Sequence, residues 1–410
     1  MEILYVAPLR SQVHFTKLQQ AYPKIFHHQV QKFHSLLAKG LASQSQELTV
    51  LAVIPDPQKH WVLPQLESDK ESGILFRYLK IGTWKGISHV LTCLWSIFTT
   101  LRWCRQHDSD RVVICDALNL SITLGAIIAS KFTTTPIAAI VTDLPTFMNA
   151  PGPRKWSSNL FRILGQTLTT FLLKRYDYYI LLTAAMDSKV NPKHRPSLVV
   201  EGMVDPSMAQ VDNLPEHMFQ ETVLIYAGAL YRQYGVQSLV EAFQKLPGCE
   251  LRLWIYGSGE LETYIIEAAK KDERIRYWGV CPNDTVVEAE LKATLLINPR
   301  PATEAFTQYS FPSKNMEYMA SGTPVLTAAL PGMPPEYLDF VYTFPDSSPE
   351  SLQKTLSSLL SMNPAELRAK GSDAKQFVLT SKTSLVQARR ILAFFMEHEE
   401  SPSTFINEPS

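Results

Sequence analysis

Tyr309-Ser-Phe-Pro-Ser-Lys-Asn-Met-Glu317-Tyr-Met-Ala-Ser-Gly-Thr-Pro-Val325 is the stretch that decides the fold of this chain. It reads as a tight loop, a short helix ending at Ser321-Gly322, and a buried strand from Pro324 onward. Pro312 and Ser313 suit the first turn of a helix, and Gly322 stands where a C-cap glycine belongs. A helix entered this way presents unpaired backbone N–H groups and the positive end of its dipole to whatever lies above it. A diphosphate is the natural occupant of such a place. Lys314 adds a full positive charge on the first turn, and the Glu317 carboxylate can accept hydrogen bonds from a pair of hydroxyls. N–H groups, a cation and a carboxylate in one turn suit a nucleotide sugar.

Outward from this stretch, the second half of the chain alternates strands and helices. Strand candidates fall at 222–227, 251–256, 274–278 and 293–298, with helical periods over 237–246 and 260–270. The first half does the same, with strands at 2–7, 48–54, 74–79, 111–115, 135–141 and 178–182 and helices over 26–44, 87–105, 119–132 and 156–175. Such alternation predicts an α/β chain whose mostly parallel sheets are covered by helices on both faces. Residues 206–220, with Asp205-Pro206, Asn213-Leu-Pro215 and no apolar period, read as a linker. The expected division is therefore a Rossmann-like domain over 1–205, the linker, a second Rossmann-like domain over 221–380, an amphipathic helix over 381–397, and a disordered polar tail over 398–410.

Composition bounds the function classes. With 45% apolar and 19% charged residues, the 410-residue chain is an ordinary globular protein, long enough for two domains. Net charge is zero, but residues 1–205 hold 22 Lys+Arg against 14 Asp+Glu and the remainder 17 against 25. A basic first half and an acidic second half predict two domains facing different partners, and nucleic acid is not expected among them. Five cysteines (93, 104, 115, 249 and 281) show no paired or metal-like spacing, which points to a reducing, cytoplasmic setting. No apolar run reaches the roughly 18 residues that span a bilayer, so the expectation is a soluble or peripherally attached protein.

The quoted stretch resembles the donor-binding segment of the GT-B glycosyltransferases, specifically the retaining family four (glycosyl transferases group 1). Its Phe311-Pro-Ser-Lys314 form resembles a subgroup found among polysaccharide-assembly enzymes. The family signature is a glutamate, seven residues, then a second glutamate within Glu-Ala-Met-Ala-x-Gly-x-Pro-Val. Glu317-Tyr-Met-Ala-Ser-Gly-Thr-Pro-Val325 matches the second half, whereas the place of the first acid is taken by Tyr309. The resemblance implies that Glu317 binds the nucleotide ribose, with Phe311, Ser313 and Lys314 in the same donor site. For the donor-sugar contact two substitutes stand open: Tyr309 through its phenol, or Glu304 from the preceding loop.

After the first strand of the second domain comes Tyr226-Ala-Gly228-Ala-Leu-Tyr-Arg232-Gln-Tyr234-Gly235. The family places an arginine and a lysine here to neutralise the leaving diphosphate; this chain has Ala229 and Tyr234 at those positions. Arg232 and Lys314 are the nearest replacements, although Arg232 reads equally well as a solvated loop residue. Gly257, in Tyr256-Gly-Ser-Gly259, resembles the glycine turn beneath the nucleotide, and Val280 ends a segment whose backbone flanks the nucleobase; Trp278 reads equally well as a packing residue of an edge strand. In the first domain Asp143 follows a strand where relatives place a histidine and an acid. It either orients or deprotonates the acceptor hydroxyl, or caps the strand end.

The resemblance implies two Rossmann-like domains facing across a cleft, with the last helix crossing back to the first. It also implies retaining transfer of a sugar from a nucleotide sugar to the hydroxyl of a sugar or lipid-linked acceptor, in cell-surface polysaccharide or glycolipid assembly. No metal and no other cofactor is expected. Asp108-Ser109-Asp110 spells the metal motif of the unrelated GT-A fold, but it precedes a strand, whereas ligands of open α/β sheets gather beyond the C-terminal strand ends. Basic, aromatic stretches around Trp84, Lys85, Trp95, Arg102 and Trp103, and from Leu144 to Tyr176 without an acid, read either as surfaces for the inner face of a membrane or as core helices with basic outer faces. Two rival functions share the fold: a nucleotide-sugar 2-epimerase-like isomerase, and a non-catalytic homologue that has lost its cations and first acid.

Overall fold

Ile3-Leu-Tyr-Val6 is apolar at every position, so its strand has to be covered on both faces, and it lies buried in the middle of an eight-stranded sheet. The computed structural model describes residues 1–21, 28–45, 47–56, 65–82, 87–107, 110–144, 156–211, 213 and 218–399. It divides into two units, Met1–Met203 with the segment from Ser384 onward, and Val204–Thr383.

The first unit runs β1 (Glu2–Val6), α1 (Gln12–Ala21), α2 (His28–Ala42), β2 (Glu47–Asp56), β3 (Gln65–Glu71), β4 (Ile74–Gly82), α3 (Ile87–Gln106), β5 (Arg111–Asp116), α4 (Leu120–Thr133), β6 (Ile137–Val141), α5 (Trp156–Leu173), β7 (Tyr178–Leu181), α6 (Asp187–Val190) and β8 (Ser197–Val199). Its sheet has the order β3-β4-β2-β1-β5-β6-β7-β8. Every pair is parallel except β3–β4. The sequence signal misses β3 because Gln65-Leu-Glu-Ser-Asp-Lys-Glu71 has one apolar residue and no alternation. A two-residue turn holds it in place instead. Ser72 and Gly73 both have positive φ, 51° and 79°, the twist that a hairpin turn requires. Its charged side chains also suit an edge that must not pair with another chain.

The second unit runs β9 (Thr222–Ala227), α7 (Val236–Gln244), β10 (Leu251–Tyr256), α8 (Glu262–Lys271), β11 (Ile275–Gly279), α9 (Asn283–Lys292), β12 (Leu295–Asn298), α10 (Ser313–Ser321), β13 (Val325–Ala328), β14 (Tyr342–Phe344), α11 (Pro349–Leu360) and α12 (Pro364–Ser381). Its six strands are all parallel, in the order β11-β10-β9-β12-β13-β14. From β9 the chain builds outward through β10 and β11, then returns to the other side of β9 with β12. The strand order therefore reverses between β9 and β12, and this is where open α/β sheets form their ligand crevice.

The described part of the expected linker is fastened to the second unit. Pro206–Gln210 form a 3-10 helix capped by the Asp205 carboxylate, and Asn213 donates from Nδ2 to Ser321 O and Thr323 Oγ1. The last helix, α13 (Ser384–Glu399), belongs to the first unit. Its Ala388, Ile391 and Phe395 enter that unit's core with Leu37, Leu41 and Tyr178.

One side chain locks α10 onto β9. The buried Tyr318 hydroxyl accepts the Ala227 N–H at 2.8 Å and donates to Ala227 O at 3.2 Å. Tyr318→Phe leaves both backbone groups buried and unpaired, at a cost of about 1–3 kcal/mol. A urea unfolding curve with the wild-type midpoint would show that this anchor carries no weight.

Candidate functional site

The loops after β9, β10 and β11 are stitched together through backbone atoms. Gly228 N donates to Tyr256 O at 3.1 Å, Leu230 N to Ser258 O at 2.9 Å, and Gly257 N to Gly279 O at 2.7 Å. Gly257 has φ 120°, and a Cβ there would come within 1.9 Å of Gly228 O, so no other residue fits without parting the two loops. Gly228 and Gly257 thus form one backbone floor at the C-terminal strand ends. Val280 is exposed immediately beyond β11. Trp278 on that edge strand is exposed on one side; its ring is stacked on Tyr256 at 5.9 Å and 3°, and the Arg276 guanidinium lies 4.5 Å from its centroid.

Helix α10 begins at Ser313 after Pro312, and no side chain caps its first turn. Lys314 Nζ lies 2.7 Å from Glu317 Oε2 and 4.0 Å from Oε1 of Glu290, an almost fully buried acid of α9. Burial works to lower the Lys314 pKa, but the charges of Glu317 and Glu290 outweigh it and the ammonium is held above its ordinary value. Lys314 is thus ion-paired to Glu317 within its own turn and stands near Glu290, which no motif in the sequence connects to this turn. Tyr309 and Phe311 are both buried, Phe311 against the Tyr337 ring at 5.1 Å, while Glu304 is exposed.

Arg232 is exposed; its Nη1 donates to Gln237 Oε1 at 2.9 Å and its backbone N–H to Glu260 Oε1 at 2.8 Å. Asp143 stands in the first unit just beyond β6. Burial raises its pKa, opposed by the Leu144 N–H that donates to Oδ1 at 2.8 Å. At the neighbouring strand end Asp116 is buried, with Oδ2 3.6 Å from His34 Nε2, and Tyr5 Oη is 2.5 Å from His34 Nδ1. Burial and the Asp116 charge raise the Tyr5 pKa, so the phenol beside His34 Nδ1 keeps its proton.

Three further features of the second unit escape sequence reading. Glu290 is one. Another is the amide chain in which Asn298 Nδ2 donates to Asn315 Oδ1 at 2.7 Å and Asn315 Nδ2 to Thr327 Oγ1 at 3.2 Å, tying α10 to β12 and β13. The third is Arg300, just beyond β12, with its guanidinium 4.7 Å from the Tyr234 ring centroid and 5.5 Å from that of Phe306.

Of the helices considered for a membrane surface, α3 exposes Ile87, Val90, Leu94 and Phe98 at helical spacing with Arg102 beyond them. Trp103 is instead buried in the core and faces no membrane. On α5, Leu168 and Phe171 are exposed, and Arg175 lies 4.5 Å over the Phe171 ring. Trp84, Lys85, Arg154, Lys155, Asp108 and Ser109 lie outside the described residues. Glu2 N donates to Asp110 O, at the N-terminal edge of the sheet. Among the described residues no helix is long and apolar enough to cross a membrane.

The sequence model of the family described as Glycosyl transferases group 1 matches residues 221–362, within the unit that holds these loops. No curated protein sequence matches the chain. Solved structures align along nearly its whole length. A sucrose-phosphate synthase from Thermosynechococcus elongatus is 14% identical over 98% of this chain and 99% of its own, with a TM-score of 0.64. Anabaena HepE in complex with UDP is 12% identical over 97% and 100%, with a TM-score of 0.63. A glycosyltransferase from Rickettsia africae is 13% identical over 98% and 99%, with a TM-score of 0.65. Most of the second unit thus matches the glycosyl transferases group 1 family, and the chain has the GT-B fold of these structures.

Proposed function

We propose that the protein transfers a sugar from a nucleotide sugar to an acceptor hydroxyl, with retention of configuration and without a metal ion. The observation that carries this reading is the Lys314–Glu317 pair on the first turn of α10, within the group 1 match and beside the β9/β12 reversal. In this reading Glu317 accepts the ribose hydroxyls, Lys314 holds its carboxylate in place, and the Gly228–Gly257 floor lets the diphosphate approach the backbone closely. The departing diphosphate oxygen assists attack on the same face of the sugar, so no covalent enzyme intermediate forms. Asp143, its pKa raised by burial, orients or deprotonates the acceptor hydroxyl. HepE was solved with UDP and with UDP-glucose, which makes uridine nucleotides the first donors to test. The setting is assembly of a cell-surface polysaccharide or glycolipid at the cytoplasmic face of a membrane, with the apolar stripe of α3 toward the lipid.

The test is incubation with labelled nucleotide sugars, with and without a membrane saccharide-lipid extract, in the presence of EDTA. Acceptor-dependent transfer at the metal-replete rate is the expected result. Epimerised donor formed without acceptor would assign the isomerase instead, and no thermal stabilisation by any nucleotide would assign the non-catalytic homologue.

A further inference from the structure

Strand β12 leaves the sheet through Pro299-Arg300-Pro301, one lip of the strand-order reversal; the loop after β9 is the other. The two lips touch: a Cβ on Gly235 would come within 2.1 Å of Pro299 O. Prolines on both sides of Arg300 stiffen its backbone, and the Tyr234 and Phe306 rings hold its guanidinium from the side. Nη1 of Arg300 is buried without a hydrogen-bond partner. Among the described residues no carboxylate forms an ion pair with it, in contrast to Lys314 beside Glu317 and Glu290 and Arg274 beside Asp272. Arg300 also bears on the floor of the site. Burial pushes the Tyr226 phenol up and the Arg300 charge opposes it, while the Tyr226 hydroxyl donates to Ala229 O at 2.8 Å.

Arg300 is half-buried and its guanidinium stays protonated, and a buried N–H group of a charged side chain left without an acceptor is unfavourable. A fold keeps such a group where an anion arrives from outside. The family's lysine position is Tyr234, and it is the face of this ring that carries Arg300. We propose that Arg300 is the cation that binds the nucleotide diphosphate, donating its planar fork to the phosphate oxygens in place of the cations absent at Ala229 and Tyr234. This inference rests on the nucleotide-sugar reading above and changes its electrostatics, moving the phosphate-binding charge from α10 to the β12 turn.

The experiment titrates wild type, Arg300→Gln and Arg300→Lys with UDP, GDP, ADP and CDP and with the four corresponding nucleosides. For the base that the wild type selects, Arg300→Gln is expected to weaken diphosphate binding about 100-fold, or about 2.7 kcal/mol. Nucleoside affinity should stay within about twofold, and Arg300→Lys, which keeps the charge but loses the fork, should fall between. Should Arg300→Gln fail to fold, the diphosphate-to-nucleoside affinity ratio of Arg300→Lys decides, and an unchanged ratio overturns the proposal. Equal diphosphate affinity in wild type and Arg300→Gln, or equal losses for nucleoside and diphosphate, also overturns it and leaves the donor reading standing. A wild type that binds none of the four diphosphates overturns both.

Discussion

Alanine at Glu317 is expected to weaken binding of the nucleotide-sugar donor roughly 30- to 150-fold, the equivalent of about 2–3 kcal/mol for hydrogen bonds to a charged acceptor. The structure adds a signature to this loss. Glu317 is one of two carboxylates around Lys314, so its removal takes away the nearer acid and leaves Lys314 facing Glu290 alone. Repulsion of an incoming diphosphate falls at the same time as the ribose contacts disappear. Nucleoside affinity should therefore drop more than diphosphate affinity, the opposite of the pattern expected at Arg300. Calorimetric titration of both ligand types into Glu317→Ala reads this directly. A donor KM and nucleoside affinity equal to wild type would remove Glu317 from the site.

Gly257→Ala is expected to destabilise the second unit by about 3 kcal/mol or more and to abolish nucleotide binding. The new Cβ would lie 1.9 Å from Gly228 O, a backbone atom that moves only if the β9 and β10 loops separate. Separation would break the Gly228 N–Tyr256 O and Leu230 N–Ser258 O hydrogen bonds that form the floor. For a unit of this size the thermal transition should fall by roughly 6–12 °C. Wild-type melting and wild-type nucleotide affinity in this variant would contradict the floor assignment.

Much of this architecture was legible from local signals. The apolar runs inside β1, β5 and β9 had to become central parallel strands, since nothing else buries both faces of a strand. The helix α10 was legible at both ends, from Pro312-Ser313 and from Gly322, which closes it with φ 82°. Elements without a periodic apolar face were not legible: β3, which its hairpin turn holds, and β14, three residues long. The site divides in the same way. Gly257 and Glu317 carry their reading in their immediate neighbours. Arg232 and Lys314 looked alike as cations because a sequence displays a charge without its surroundings; the fold sets Glu317 and Glu290 beside Lys314, while Arg232 donates to the neutral Gln237.

The sequence alone determined that this is an α/β chain of two units with a group 1 motif at Glu317–Val325, because period, caps and motif are local properties of the chain. Only the tertiary structure shows which positive charges have carboxylates beside them and which have aromatic rings. Glu290 lies 24 residues before Lys314 and Tyr234 lies 66 before Arg300. The pairings that neutralise Lys314 and that set Arg300 over an aromatic ring arise only when the sheet brings α9 to α10 and the β9 loop to the β12 turn. Electrostatic interaction depends on distance in space and on burial, and neither quantity exists until the chain has folded.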